Sequence, residues 1–141
     1  MARRKRPLPA SYIPTDGESF MNAKQREYFR LKLLKWRVEL LEESNETLRN
    51  LQSESLAEPD MADRATLEAD RALELRTRDR QRKLVNKIDA AMRRIEEGTY
   101  GYCEETNEPI SLRRLEARPI ATLSVEAQER HERMERTRRN D

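Results

Sequence analysis

Two long stretches without proline or glycine, separated by Glu58–Pro59–Asp60, constrain this chain more than any other feature. One runs from about Asn22 to Leu56 and the other from about Met61 to Glu97. Inside a helix, proline costs about 3 kcal/mol and glycine about 1 kcal/mol relative to alanine, so their absence favours two uninterrupted helices. At 1.5 Å per residue each would extend ~50 Å. In the first stretch Leu34, Leu41 and Leu48 recur every seven residues, Leu31 and Val38 fill the alternate positions, and polar Asn45 takes the next. This is a heptad stripe. In the second, Leu84, Ile88, Ala91 and Ile95 form an apolar face near the end, and Gly98 follows as a stop signal. Matching lengths about Pro59 predict an antiparallel hairpin; two separate helices in a parallel dimer are the competing arrangement. Folding about residue 59 sets Leu34 beside Leu84, Leu31 beside Ile88 and Leu41 beside Thr77. The pairing is then apolar at the base and thins toward the tip.

Composition agrees with a slender molecule. Charged residues are 40% of the 141 and hydrophobic residues 35%. That is too little apolar surface for a thick core, but it suits long helices with a narrow stripe. The net charge of +2 says little; the distribution says more. From Glu39 to Asp63 there are eight acidic residues and one basic, whereas from Arg71 to Arg94 there are nine basic and three acidic. Segregated charge steers docking. No apolar run approaches the ~20 residues of a membrane span. The N-terminal "MARRKRPLPAS" lacks the hydrophobic core of a secretory signal. A single cysteine, Cys103, excludes an intramolecular disulfide and points to the reducing cytoplasm.

Residues 1–21, with Pro7, Pro9 and Pro14, are expected to form a mobile arm whose Tyr12, Ile13 and Phe20 are able to dock. Its "ARRKR" is more simply a solvated terminus than a nucleic-acid patch. Asn22, three residues before Gln25, is placed to cap the first helix. The hairpin then occupies 22–97, with its tip near 58–65. Residues 98–123, "GTYGYCEETNEPISLRRLEARPIATL", suggest a small turn-rich module with a short β-hairpin around "TNEP". So few residues cannot fold alone, and Tyr28, Phe29, Trp36, Met92 and Ile95 offer them a platform. Ser124 can cap a last helix over 124–141, with Glu126 near its positive end.

An enzyme is hard to build from this inventory. The one histidine, His131, lies on a charged terminal segment, and Cys103 has no histidine near it in sequence. No glycine-rich phosphate loop is present. Asp60 and Asp63 remain. One of them can cap the second helix, but a cap does not require both, together with Ala65, at the end of an acidic projection. Carboxylates on a narrow rod can reach into a channel that a globule cannot enter, to meet basic groups or a bound Mg²⁺.

At this point the residues resemble those of the DksA/TraR family of bacterial transcription factors. "PDMADRA" matches the family's tip motif D-x-x-D-x-A through Asp60, Asp63 and Ala65. "LELRTRDRQRKLVNKI" resembles the descending coiled-coil arm, and "YGYC" followed by "RRLEARP" resembles the small C-terminal module. The likeness runs from about Phe20 to Arg133. It implies a mainly α fold: a long antiparallel two-helix coiled-coil hairpin, a small zinc-finger-like module and a C-terminal helix. It implies a partner, RNA polymerase, whose secondary channel admits the hairpin so that the tip nears the active site. It implies an effector, guanosine tetraphosphate, acting at the polymerase interface in the stringent response on ribosomal RNA and biosynthetic promoters. By resemblance, Arg80 lies in the stretch that touches polymerase. Lys87 and Arg118 match basic positions lining the nucleotide site, and Leu84 an adjacent packing position. Each also has a plain structural reading: Lys87 as an exposed cation, Leu84 in the seam, Arg118 paired with Glu116.

Two departures matter. The family's C-x-x-C…C-x-x-C positions here are Cys103, Thr106, Ser124 and Ala127, which do not make a tetrahedral zinc site. A zinc-independent, cysteine-poor member is expected, with Cys103 either a buried packing residue or a redox-sensing thiol. Gln128 stands where the nucleotide pattern usually has lysine, so alarmone binding is expected to weaken or to use other contacts. The expected protein is a cytoplasmic monomer with no enzymatic activity and no sequence-specific DNA binding. Its rivals are a structural coiled-coil adaptor and a metal-dependent nucleic-acid binder.

Overall fold

The computed structural model describes residues 8–54 and 61–140. Within them lie helices α1 (Ala23–Glu54), α2 (Met61–Glu97), α3 (Leu112–Ala117) and α4 (Val125–Asn140). The chain divides into two compact units, one of residues 1–33 with 91–141 and the other of residues 34–90.

The first unit is built on an apolar core. Phe29 and Leu33 of α1, Ala91 and Ile95 of α2, and Tyr100, Ile110, Leu115 and Ala127 beyond it are all buried. The Phe29 ring lies 5.6 Å from that of Tyr100 and 5.2 Å, edge-on, from that of Tyr28. Tyr100 keeps its hydroxyl satisfied by donating to the Pro119 carbonyl at 2.7 Å, as a buried phenol must. Residues 12–21, expected within a mobile arm, are docked here. Tyr12 packs edge-on against Tyr28 at 6.1 Å and donates to Glu18 at 2.7 Å. Phe20 packs on Tyr102 at 5.4 Å, while Ile13 stays 67% exposed.

Gln25 organises this docking. It is fully buried. Its backbone N–H donates to the Asn22 side chain at 2.9 Å, which is the anticipated cap. Its own side-chain oxygen accepts from the Met21 N–H at 2.8 Å, and its Nε2 donates to the Thr15 carbonyl at 3.3 Å. Met21 holds a positive φ of 50° and lies over Gly101, itself at φ 90°. A Cβ on Gly101 would stand 3.2 Å from Met21 and Phe20. Glycine is required there by both conformation and space.

The "TNEP" hairpin is an isolated antiparallel bridge, Tyr102↔Pro109, not a ladder. The turn inside it closes through Cys103 N–H to the Glu108 carbonyl at 2.8 Å and Asn107 N–H to the Cys103 carbonyl at 2.9 Å. Asn107 takes the left-handed conformation, φ 61°. Helix α3, which composition did not announce, follows its cap Ser111, whose side chain accepts from Arg114 N–H at 3.2 Å. Ser124 caps α4 as expected, accepting from Ala127 N–H at 3.2 Å.

The second unit is the hairpin, and it corrects the predicted seam. Leu34, Val38 and Leu41 are 38–47% exposed, whereas Leu40 is buried, with Gln81, Val85 and Ile88 buried on α2. Helix α1 in fact carries two heptad lines, Leu31–Leu34–Val38–Leu41 and Phe29–Leu33–Trp36–Leu40. The inward one contains the aromatic side chains, which have the most area to remove from water. The register moves with the face. Arg37 bonds Asp89 at 2.8 Å, and Gln81 donates to Glu43 at 3.1 Å. Folding about residue 59 would have set Arg37 level with residue 81 and Glu43 level with residue 75. The real partners come eight and six residues later, a shift of about two helical turns. Continued at this register, Glu54 falls level with about Arg71. The stretch Met61–Asp70 of α2 therefore runs past the last turn of α1, by roughly 15 Å at 1.5 Å per residue. Asp63–Thr66 and Glu68–Asp70 are exposed.

Candidate functional site

The far end of the hairpin was expected to present Asp60, Asp63 and Ala65. Asp60 lies outside the described residues. Asp63 sits in the first turn of α2, where the unsatisfied N–H groups and the helix dipole favour a carboxylate. Asp63 and Ala65 are both exposed. They belong to the part of α2 that lies beyond the last turn of α1.

Further along α2, Arg80 and Lys87 are exposed and Leu84 is half-buried. Sequence reasoning took Arg80 and Lys87 singly. At helical spacing they share one face with Arg76 and Lys83, also exposed, and the four form a cationic ridge. The signal was available in the i, i+4, i+7, i+11 spacing. Aligned cations on one helix face are a surface for an acidic or phosphate-bearing partner.

In the other unit, Arg118 closes α3: its N–H donates to the Arg114 carbonyl at 2.8 Å, and the residue is exposed. Its supposed partner Glu116 is engaged elsewhere, accepting from Tyr28 at 2.7 Å and from Lys32 at 2.6 Å. Burial would raise the Glu116 carboxyl; hydrogen bonds from Lys32 and Tyr28 and the lysine charge outweigh it and hold the group below its usual range. Tyr28 moves the other way, to about 12, through burial and its bond to Glu116. Gln128 is half-buried in the first turns of α4, its side chain donating to Glu132 at 3.4 Å. His131 on the same helix pairs with Glu105. Leu84 and Lys87 thus belong to one compact unit, and Arg118 and Gln128 to the other.

The four former thiol positions can be tested as metal donors. Cys103 is buried. Thr106 accepts the Glu108 N–H at 3.3 Å, and the Ser124 side chain is committed to capping α4. Ala127 is fully buried and offers no donor atom. Among the described residues no group of three or more His, Cys, Asp or Glu is placed to hold a metal ion. One thiol and two committed hydroxyls do not fit tetrahedral zinc. What would have been a ligand cradle surrounds the thiol instead. Burial pushes the Cys103 thiol up, but hydrogen bonds from the Thr106 side chain and from the backbone N–H groups of Ser124, Thr106 and Glu105 prevail and hold it at about 6.

A two-helix hairpin with carboxylates at the start of α2 and a cationic ridge along the same helix, joined to a small turn-rich module, defines a class: a coiled-coil protein with a charged docking surface. Comparison with known proteins makes this particular. Residues 25–95 match the family described as DnaK suppressor protein DksA, N-terminal domain, and residues 98–133 match the prokaryotic dksA/traR C4-type zinc finger. The RNA polymerase-binding transcription factor DksA of Caulobacter vibrioides is 64% identical over 132 residues, covering 94% of this chain and 93% of its own. That of Escherichia coli K12 is 43% identical over 115 residues, 82% and 76%. The solved structure of transcription factor DksA2 from Pseudomonas aeruginosa superposes with a TM-score of 0.78 at 44% identity, covering 83% of this chain and 90% of that one. The chain belongs to the DksA/TraR family.

Proposed function

We propose that this chain regulates transcription by binding RNA polymerase directly and inserting the far end of its hairpin into the secondary channel, so that Asp60, Asp63 and Ala65 approach the active site. The observation that carries the proposal is the exposed start of α2. There Asp63 and Ala65 are exposed in the first turns of the helix, ahead of the ridge of Arg76, Arg80, Lys83 and Lys87. Its relatives in Caulobacter vibrioides and Escherichia coli, RNA polymerase-binding transcription factors, support the choice of partner. Guanosine tetraphosphate is the proposed effector, with Leu84, Lys87, Arg118 and Gln128 as the residues that resemblance nominates for it. Phosphate favours lysine and arginine, through charge-assisted bonds that a neutral amide matches only in part. The turn module works without zinc, and the protein acts in the cytoplasm, as a binder and not as an enzyme.

The decisive experiment is in vitro transcription from a ribosomal promoter. The Asp60→Asn/Asp63→Asn variant should fold and bind polymerase as the parent does, yet lose its effect on the promoter. Equal regulation by the double variant refutes the tip's role and favours an adaptor. Crosslinking from position 63 to purified polymerase should land near the catalytic centre. Lys87→Ala should weaken alarmone binding about tenfold or more, the worth of one charge-assisted bond, and Gln128→Lys should strengthen it. Elemental analysis should find no stoichiometric zinc.

A further inference from the structure

Helix α1 carries two apolar heptad lines; the hairpin buries one, and the other stays partly exposed, with Leu41 and Asn45 bordering a groove shared with Leu75, Asp79 and Arg82 of α2. In the second unit Leu34, Val38 and Leu41 stand at alternating a and d positions, 38–47% exposed, with exposed Asn45 at the next a position. We propose that this line is a self-association face. Two copies of the chain pack α1 against α1, antiparallel, about a two-fold axis passing between Val38 and Leu41. Val38 of each copy then meets Leu41 of the other, and Leu34 lies opposite Asn45 at the margin, where the amide keeps its water.

Charge selects the second copy as occupant and fixes its direction. Lys35 and Glu42 flank the line, both exposed. In this register Lys35 of each copy faces Glu42 of the other, so symmetry delivers the favourable contact on both sides. Sliding by one heptad sets Lys35 against Lys35 and Arg37 against Arg37. A parallel arrangement sets Lys35 against Arg30 and needs Arg37 for Glu42, although Arg37 is already bound to Asp89 at 2.8 Å. Of these arrangements, the antiparallel register alone pairs the α1 flanking charges Lys35 and Glu42 without displacing Arg37 from Asp89. The patch is small and is interrupted by Asn45, so the dimer belongs to the weak, reversible class. It replaces the monomer expected from the sequence at high concentration. It also covers one side of the hairpin, making self-association and any docking through that side mutually exclusive.

Sedimentation equilibrium of the full chain, from about 10 µM to about 1 mM, spans this affinity class. The parent should shift from monomer to dimer, and Val38→Glu should stay monomeric with unchanged helical circular dichroism, since the position is exposed. Lys35→Glu and Glu42→Lys should each weaken association about tenfold or more by opposing like charges on both flanks. The Lys35→Glu/Glu42→Lys double swap should restore it. A parent that is monomeric throughout overturns the proposal, as does association that survives Val38→Glu. Strengthening by Lys35→Glu overturns it in favour of parallel packing. Loss of polymerase binding by Val38→Glu, with a monomeric parent, overturns it and assigns the stripe to polymerase.

Discussion

In the unit of residues 8–33 and 91–140, inward positions are apolar or fully bonded: Phe29, Ile95, Tyr100 and Leu115 are buried, and the one buried amide, Gln25, has both ends of its side chain engaged. In the unit of residues 34–90, the inward line of α2 begins like that, with Ile88 and Val85, and then turns polar through Gln81, Arg78, Glu74 and Arg71. The Gln81 Oε1 is buried with no hydrogen-bond partner. A compact body closes its contacts on every side, whereas a long projection closes them on one face and loses apolar partners with distance. Helical stability in water rests mainly on packing, so the second unit should be the one that opens first.

Cutting Phe29 back to alanine should hurt most, by about 3–5 kcal/mol, because the ring is fully buried among aromatic neighbours. Chemical denaturation checks this. Hydrogen exchange should show protection lost in residues 95–127 and far less in residues 70–85; the reverse pattern would break the comparison. The next effect depends on pH. Cys103 is held at about 6, well below the ordinary thiol range near 9. Its stabilising contribution is therefore complete above pH 9 and is lost as pH falls through 6. The stability difference between the parent and Cys103→Ser should grow as pH rises from 6 to 9, and thiolate absorbance should titrate near 6. Ser124→Ala should cost about 1 kcal/mol by removing the α4 cap. Gln81→Leu should act oppositely, raising stability by up to about 1 kcal/mol, since it removes an unsatisfied buried oxygen from the hairpin seam. Asp63→Asn should change stability least, by less than about 0.5 kcal/mol at an exposed position.

Helix existence, length and caps were legible because each has a local cause. Asn22 and Ser124 cap as their side chains dictate, and the long spans free of proline and glycine are the long helices. The seam was not legible. Two apolar heptads lie side by side on α1, and the choice between them depends on which buries the larger surface, a tertiary quantity. The register followed the wrong face and came out about two turns short. At the candidate site, Arg80 and Lys87 were singled out one at a time, by resemblance. Their alignment with Arg76 and Lys83 was readable from spacing alone. The roles of Glu116 and Gln25 were not readable, because their partners are contributed by segments distant in sequence or by backbone atoms of the turn before α1.

The pairing of α1 with α2 has a dimensional consequence. A helix with its side chains is ~10–12 Å across, and a packed partner adds a further ~8–10 Å between axes. The paired shaft is therefore about twice as broad in one direction as in the other. A slot-shaped opening fitted to that cross-section admits it only in two orientations, related by a half-turn, and so fixes which face of α2 meets which wall.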